Sequence, residues 1–146
     1  ENPARLTSHD WITSNMVPWN QSHIRSGESR PSHTGFWYVD VKEAGSYKIT
    51  LSRWPPESGY ALAAAIPSGA PVPGLQAFRA RPGTAFDIAE ASIELSGLKK
   101  SEVVDPTSHS ITFDVKLPAG PTKFFATFTT GDGTTLGAYF AMVEKQ

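Results

Sequence analysis

Four tryptophans, Trp11, Trp19, Trp37 and Trp54, all fall within the first 54 of 146 residues. Indole faces stack on the apolar faces of sugar rings and attract cations, so a surface Trp with polar neighbours is a candidate glycan contact. Two of the four have such company: Asn20 and Gln21 follow Trp19, and Arg53 precedes Trp54. Trp37 shares an alternating face with Val39 and Val41 and is expected in the core, with Phe36, Tyr38 and Asp40 on the opposite face. Trp11 ranks below Trp19 and Trp54 as a ligand contact. A second cluster lies between His23 and His33, where Arg25 and Arg30 face only Glu28 in a Ser/Gly/Pro-rich stretch. Planar guanidinium forks suit sulfate or carboxylate groups. A solvated loop, or a contact to a neighbouring domain, explains the same charges. The candidate ligand-binding residues are therefore Trp19, Asn20, Arg25, Arg30, Arg53 and Trp54.

Catalytic chemistry finds little support. His9, His23, His33 and His109 make no His-x-His, His-x3-His or His-Glu-x2-His pair, so no metal site is expected from spacing. His9 stands beside Asp10, but neighbours on a strand point to opposite faces. There is no Gly-x-Ser-x-Gly elbow, P-loop or dinucleotide fingerprint, and the carboxylates fall in turns or at outward strand positions. Gly131-Asp132-Gly133 resembles a calcium corner, although a tight turn accounts for it. Asn20-Gln21-Ser22 matches a glycosylation acceptor. No catalytic residue and no cofactor is expected.

The elements that would carry these residues follow from the turn signals. The chain has 12 Gly, 12 Pro and no Cys, with 13 Lys+Arg against 14 Asp+Glu and a net charge of −1. That balance argues against a nucleic-acid or membrane-surface partner, and absent Cys removes disulfides and thiolate chemistry. No stretch approaches the ~18 apolar residues of a membrane span. Glu1 in place of Met points to a processed chain or an excised segment. A first hairpin is expected from Gly35–Val41, a turn at Glu43-Ala44-Gly45, and Ser46–Trp54, where Tyr47, Ile49 and Leu51 alternate with Lys48, Thr50 and Ser52. Residues 88–96 alternate Ala89, Ala91, Ile93 and Leu95 with Glu90, Ser92 and Glu94, and residues 110–117 alternate Ile111, Phe113, Val115 and Leu117 with polar partners. A meander closes the chain, with strands at Lys123–Thr129 and Leu136–Val143 around turns at Pro118–Pro121 and Gly131–Gly133. Pro67–Pro73 reads as a loop, and Tyr60–Ile66 as either a helical turn or a strand. The sum is an all-β chain, a single antiparallel β-sandwich of jelly-roll or galactose-binding-like type spanning residues 1–146.

Several of these segments, taken together, resemble a known group. Leu6–Trp11, Val17–Ile24, Gly35–Val39, Ala44–Tyr47, Leu51–Glu57 and Gly137–Val143 are similar to the C-terminal β-sandwich region of bacterial arylsulfatase-type proteins. Ala44–Leu51 and Leu117–Phe128 are also similar to strand pairs of carbohydrate-binding-module-like jelly rolls. Sulfatases make formylglycine from a Cys or Ser in a Cys/Ser-x-Pro-x-Arg context. The nearest string here, Ser29-Arg30-Pro31-Ser32-His33, lacks the arginine. The resemblance thus implies a non-catalytic accessory domain of a periplasmic or secreted bacterial protein. It would pack on the catalytic sulfatase domain of the same chain and help bind a sulfated or other polysaccharide. An autonomous carbohydrate-binding module and a purely structural domain are the alternatives.

Overall fold

The structure is a computed structural model and describes residues 1–13, 24–25, 34–70, 73 and 82–146. Its strands are β1 (Ala4–Thr7), β2 (Trp37–Val41), β3 (Gly45–Ser52), β4 (Ile88–Leu95), β5 (Leu98–Val103), β6 (Ile111–Leu117), β7 (Gly120–Thr130), β8 (Thr135–Gly137) and β9 (Phe140–Lys145). One sheet runs β1-β9-β3-β6 and the other β2-β7-β4-β5, with β8 beside the far half of β7. All the pairings are antiparallel. The antiparallel sandwich read from the turn spacing is the fold.

The alternating residues become the facing layers of the core. From β3, Ile49 and Leu51 are fully buried, and from β6 Phe113, Val115 and Leu117 join them. The opposing sheet supplies Trp37, Ala91, Ile93, Leu95, Phe124, Ala126 and Phe128. Each of the large aliphatic and Phe side chains among them contributes roughly 1.5–3 kcal/mol on removal from water, which is the main term holding the sheets together. Trp37 lies inside and Tyr38 and Asp40 lie outside, as the alternation requires.

Several expectations need correction. The register of β4 against β7 shifts between Ile88 and Glu90. That bulge turns Ile88 inward and leaves Ala89 exposed, which the simple alternation reversed. The final strand is two: β8 stays with β7, while β9 joins β1 and β3, and the chain changes sheets at Ala138–Tyr139. Backbone bonds mark the crossing, Ala138 N to Ala126 O at 3.0 Å and Ser8 N to Tyr139 O at 2.8 Å. β7 begins at Gly120, so the turn before it is shorter than expected. Of the two readings of Tyr60–Ile66 the strand is absent and a single turn is present, Ala64 N donating to Ala61 O at 3.0 Å.

The connections divide between two ends. At one end the links are short: residues 42–44, 96–97 and 118–119. Ser96 and Gly97 both take positive φ, 50° and 76°, the backbone that a two-residue hairpin favours. Asn2 and Lys145 also meet at this end, Asn2 Nδ2 donating to the Lys145 carbonyl at 3.3 Å and Lys145 N donating to Asn2 Oδ1 at 2.8 Å. At the opposite end β1, β3 and β5 stop and their longer connections begin, the described parts next to the strands being residues 8–13, 34–36, 53–70, 82–87 and 104–110. It is there that long loops can build a site on a rigid frame.

Candidate functional site

The outer face of the four-stranded sheet becomes concave where it meets the long connections. Register places Arg5 beside Met142, Met142 beside Thr50, and Thr50 beside Thr112. One row nearer the loops, Thr7 faces Phe140 and Phe140 faces Ser52. These outward residues form a floor with Phe140 and Met142 as its apolar part and Thr50 and Ser52 as its hydroxyls. Two walls rise from it. Pro55, Pro56 and Tyr60 come from the β3–β4 connection, and His109 with Ser110 from the β5–β6 connection. The hollow encloses about 250 Å³, just below the ~300–1,000 Å³ range of sites for drug-sized molecules.

Local sequence explains the walls. Pro55-Pro56 follow the bend after β3, and Pro56–Ser58 form a single 3-10 turn closed by Gly59 at φ 68°. That left-handed residue, natural for Gly, reverses the chain and leaves Tyr60 partly exposed at the rim. Arg5 is oriented twice over. Its guanidinium lies 5.7 Å from the Phe140 ring centroid, and it makes a two-pronged ion pair with Glu57, the second prong Nη2 to Oε2 at 3.2 Å. That contact holds the Glu57 carboxyl below its usual range.

Beneath this end lies a buried cation. Arg53 is 0% exposed, and its guanidinium donates to the carbonyls of Leu62 (3.4 Å), Ala64 (3.3 Å) and Thr84 (2.6 Å). Its central carbon is 4.3 Å from the Trp54 ring centroid and 4.7 Å from that of Phe86. Burial pulls its pKa down to about 10, partly offset by Tyr139. At neutral pH it remains charged. Trp54, 2% exposed, donates its indole N–H to Ala64 O at 3.1 Å. Arg53 and Trp54 thus face inward, where neither can stack on or clamp a ligand. Trp54 does not join Lys48, Thr50 and Ser52 on the outward face, because β3 ends at Ser52. Beyond it the chain bends and tucks both side chains against Leu62, Ala64, Thr84 and Phe86.

Among the other residues singled out, Arg25 is half-buried and lines no part of the hollow. Its side chain donates to Pro67 O at 3.3 Å, and its carbonyl accepts from Thr84 N at 2.7 Å, tying residues 24–25 to the β3–β4 connection. Trp19, Asn20 and Arg30 lie outside the described residues, as do His23, His33 and the Asn20–Ser22 acceptor. Trp11 is core, ringed by Trp37 and Tyr139 at 5.6 Å each. Asp10 is engaged locally, accepting from Thr7 N at 3.2 Å and Thr7 Oγ1 at 3.1 Å. In the Gly131–Gly133 turn, Asp132 Oδ1 accepts from Thr130 Oγ1 at 2.5 Å and from Thr134 N at 3.0 Å. Those bonds hold its carboxyl below the usual carboxylate range and account for the turn's geometry.

Sequence reasoning missed Tyr60 and Phe140, the two aromatic rings of the hollow. Phe140 was legible: in Phe140-Ala141-Met142-Val143, Ala141 and Val143 face the core, which sends Phe140 and Met142 outward. Tyr60 offered only its place after Pro-Pro-Glu-Ser-Gly.

Tyr139 gives this region a measurable titration. Burial raises its phenol from the ordinary 10 to about 12, with Arg53 opposing the rise. The unfolded phenol ionises near pH 10, so the contribution of Tyr139 to stability is complete below pH 10 and is lost between pH 10 and 12. Subtracting the alkaline phenolate absorbance of Tyr139→Phe from that of the wild type is expected to leave a step centred near pH 12. A difference step near pH 10 would contradict the buried placement.

No family model matches the chain, and no curated protein matches it by sequence. Solved structures do. A ruminal GH26 endo-β-1,4-mannanase superposes at TM-score 0.50 and 16% identity, covering 100% of this chain and 26% of the mannanase. A Podospora anserina GH26-CBM35 β-(1,4)-mannanase gives 0.49 at 9% identity, covering 99% of this chain and 28% of that one. A family 35 carbohydrate-binding module from Clostridium thermocellum gives 0.46 at 12%, covering 97% and 98%. The chain thus spans about a quarter of the mannanase it first matches. At these identities the likeness is one of fold. None of these three structures is a sulfatase, and the arylsulfatase resemblance rests on the short sequence motifs alone.

Proposed function

We propose that this domain is a non-catalytic carbohydrate-binding module that holds one sugar residue of a neutral glycan in the hollow on its four-stranded sheet. The observation that carries this reading is the composition of the hollow. Apolar and aromatic faces from Phe140, Met142, Tyr60 and two prolines are bordered by the hydroxyls of Thr50, Ser52 and Ser110. A sugar ring has the matching character, with C–H faces for the aromatics and hydroxyls at its edge. Because the Arg5 fork is already engaged by Glu57, the hollow suits a neutral ring better than a sulfated one. Among the described residues that line it there is no Asp or Glu, and the apolar faces and hydroxyls that are there suit holding a ring.

A sandwich of this fold making up a quarter of a mannanase chain supports a module within a larger polysaccharide-degrading protein, with β-1,4-mannan a first ligand to try. This replaces the sulfatase partner with a glycan-active one and keeps the expected location outside the cell. No helix among the described residues is long and apolar enough to cross a membrane.

Calorimetric titration with manno-, xylo- and sulfated galacto-oligosaccharides tests the reading. A neutral oligosaccharide is expected to bind. Tyr60→Ala is expected to weaken it by roughly tenfold or more, since loss of one stacking ring is worth on the order of 1.4 kcal/mol. Tyr60 is partly exposed, so the melting temperature stays near that of the wild type. Binding unaffected by Tyr60→Ala, or no binding across the panel, would refute the proposal.

A further inference from the structure

The two walls of the hollow come from connections far apart in sequence, and a single residue, Leu62, ties them together. Leu62 donates its N–H to Ser108 O at 2.8 Å, next to His109 and Ser110, while its carbonyl accepts from Arg53 Nη1 at 3.4 Å. The same guanidinium reaches forward to Ala64 and across to Thr84. Around it the connection is stitched by Gly83 N to Ile66 O at 2.7 Å and Phe86 N to Ala63 O at 3.1 Å. Gly83 fits against Trp54 so closely that a Cβ there would lie 3.0 Å from the indole. Among the described residues no carboxylate bonds to the guanidinium. Its donors go to backbone carbonyls, its faces go to Trp54 and Phe86, and its Nε is buried without an acceptor. A buried cation held this way has few alternative geometries, because moving it strips a charged donor of its acceptors.

From this arrangement we infer that Arg53 is the positioning residue of the glycan hollow: through the backbone of Leu62 it sets the separation of the Tyr60 wall from the His109 wall. The inference rests on the carbohydrate-binding reading for its ligand, though not for its geometry. Lysine at this position keeps the charge but has one nitrogen in place of a fork, and cannot span Leu62, Ala64 and Thr84 together.

Arg53→Lys and Arg53→Met should be compared with Ile93→Ala, a core truncation in the other sheet that serves as a stability match. Two readouts are needed: affinity for the oligosaccharide that the wild type binds best, at a temperature where every variant is folded, and hydrogen exchange at the Leu62 amide. Both Arg53 variants are expected to lose fivefold or more in affinity and to speed Leu62 exchange at least tenfold relative to Ile93→Ala at equal melting temperature. Ile93→Ala is expected to bind like the wild type. Affinity and exchange no different from Ile93→Ala would overturn the positioning role while leaving the binding reading intact. So would failure of both Arg53 variants to fold, which reduces the residue to a folding requirement. If the wild type binds no glycan, the binding reading falls, and Leu62 exchange alone decides whether Arg53 holds the walls.

Discussion

Trp37→Ala is expected to lower the unfolding free energy by roughly 3–5 kcal/mol, a large part of the ~5–15 kcal/mol available to an ordinary domain. Trp37 is 1% exposed and centres the aromatic layer, with Trp11 at 5.6 Å and Phe124 at 5.2 Å between ring centroids. Its indole N–H also donates to Thr7 O at 2.7 Å, fastening β2 of one sheet to the end of β1 in the other. Truncation removes the apolar contacts, leaves a void that close-packed neighbours fill only in part, and strands a carbonyl. Trp37→Phe separates these effects, since it keeps most of the ring and loses the hydrogen bond. A smaller loss of about 1–2 kcal/mol is expected for it. Denaturant unfolding measures both, and a Trp37→Ala loss below about 1 kcal/mol would show that the indole is not packed as described.

Gly137→Ala is the second large effect, and it arises from excess volume. A Cβ on Gly137 would lie 2.2 Å from Cη2 of Trp11 and 2.9 Å from Cζ2. Trp11 cannot retreat, because Trp37 and Tyr139 flank it and its own Cβ lies against Gly35. Overpacking of this kind costs about 1–3 kcal/mol and sometimes more. Trp11→Phe combined with Gly137→Ala should recover part of that loss, because the smaller ring makes room, and the double-mutant cycle would then be non-additive. Gly45→Ala is the control: its nearest neighbour is Lys145 Cε at 3.5 Å, an ordinary contact, so little change is expected. Equal thermal stability of Gly137→Ala and Gly45→Ala would contradict the tight seating of Trp11.

Most of the frame could be read from the residues, and most of the site could not. Period-two alternation placed Ile49, Leu51, Phe113, Val115, Ile93 and Leu95 in the core because one face of each strand is dry and the other wet. It missed β5, whose Leu-Lys-Lys-Ser-Glu-Val carries little apolar pattern because the strand is an exposed edge. It missed β1 because four residues are too few to show a period. The alternation also says nothing about what happens after a strand stops. Trp54 and Arg53 have the composition of a ligand contact, and their burial is decided by the bend after Ser52 and by carbonyls up to 31 residues away. Tyr60 reaches the rim through one left-handed glycine and a turn whose direction no local rule specifies. The hollow is a product of register and of loop closure, both of which are tertiary.

The meeting of Asn2 with Lys145 has a mechanical consequence. Because β1 and β9 are antiparallel neighbours whose outer ends lie together, a force drawing residues 1 and 146 apart acts along the hydrogen bonds between them. The rungs from Ala4–Val143 to Thr7–Phe140 then fail in turn, like a zip, and the sandwich is soft in that direction. A tug between the hollow and residue 146 instead runs lengthwise along β9 and must shear its rungs to both β1 and β3 at once. A load applied between the Phe140–Met142 floor and residue 146 is therefore carried along the stiff axis of the sandwich.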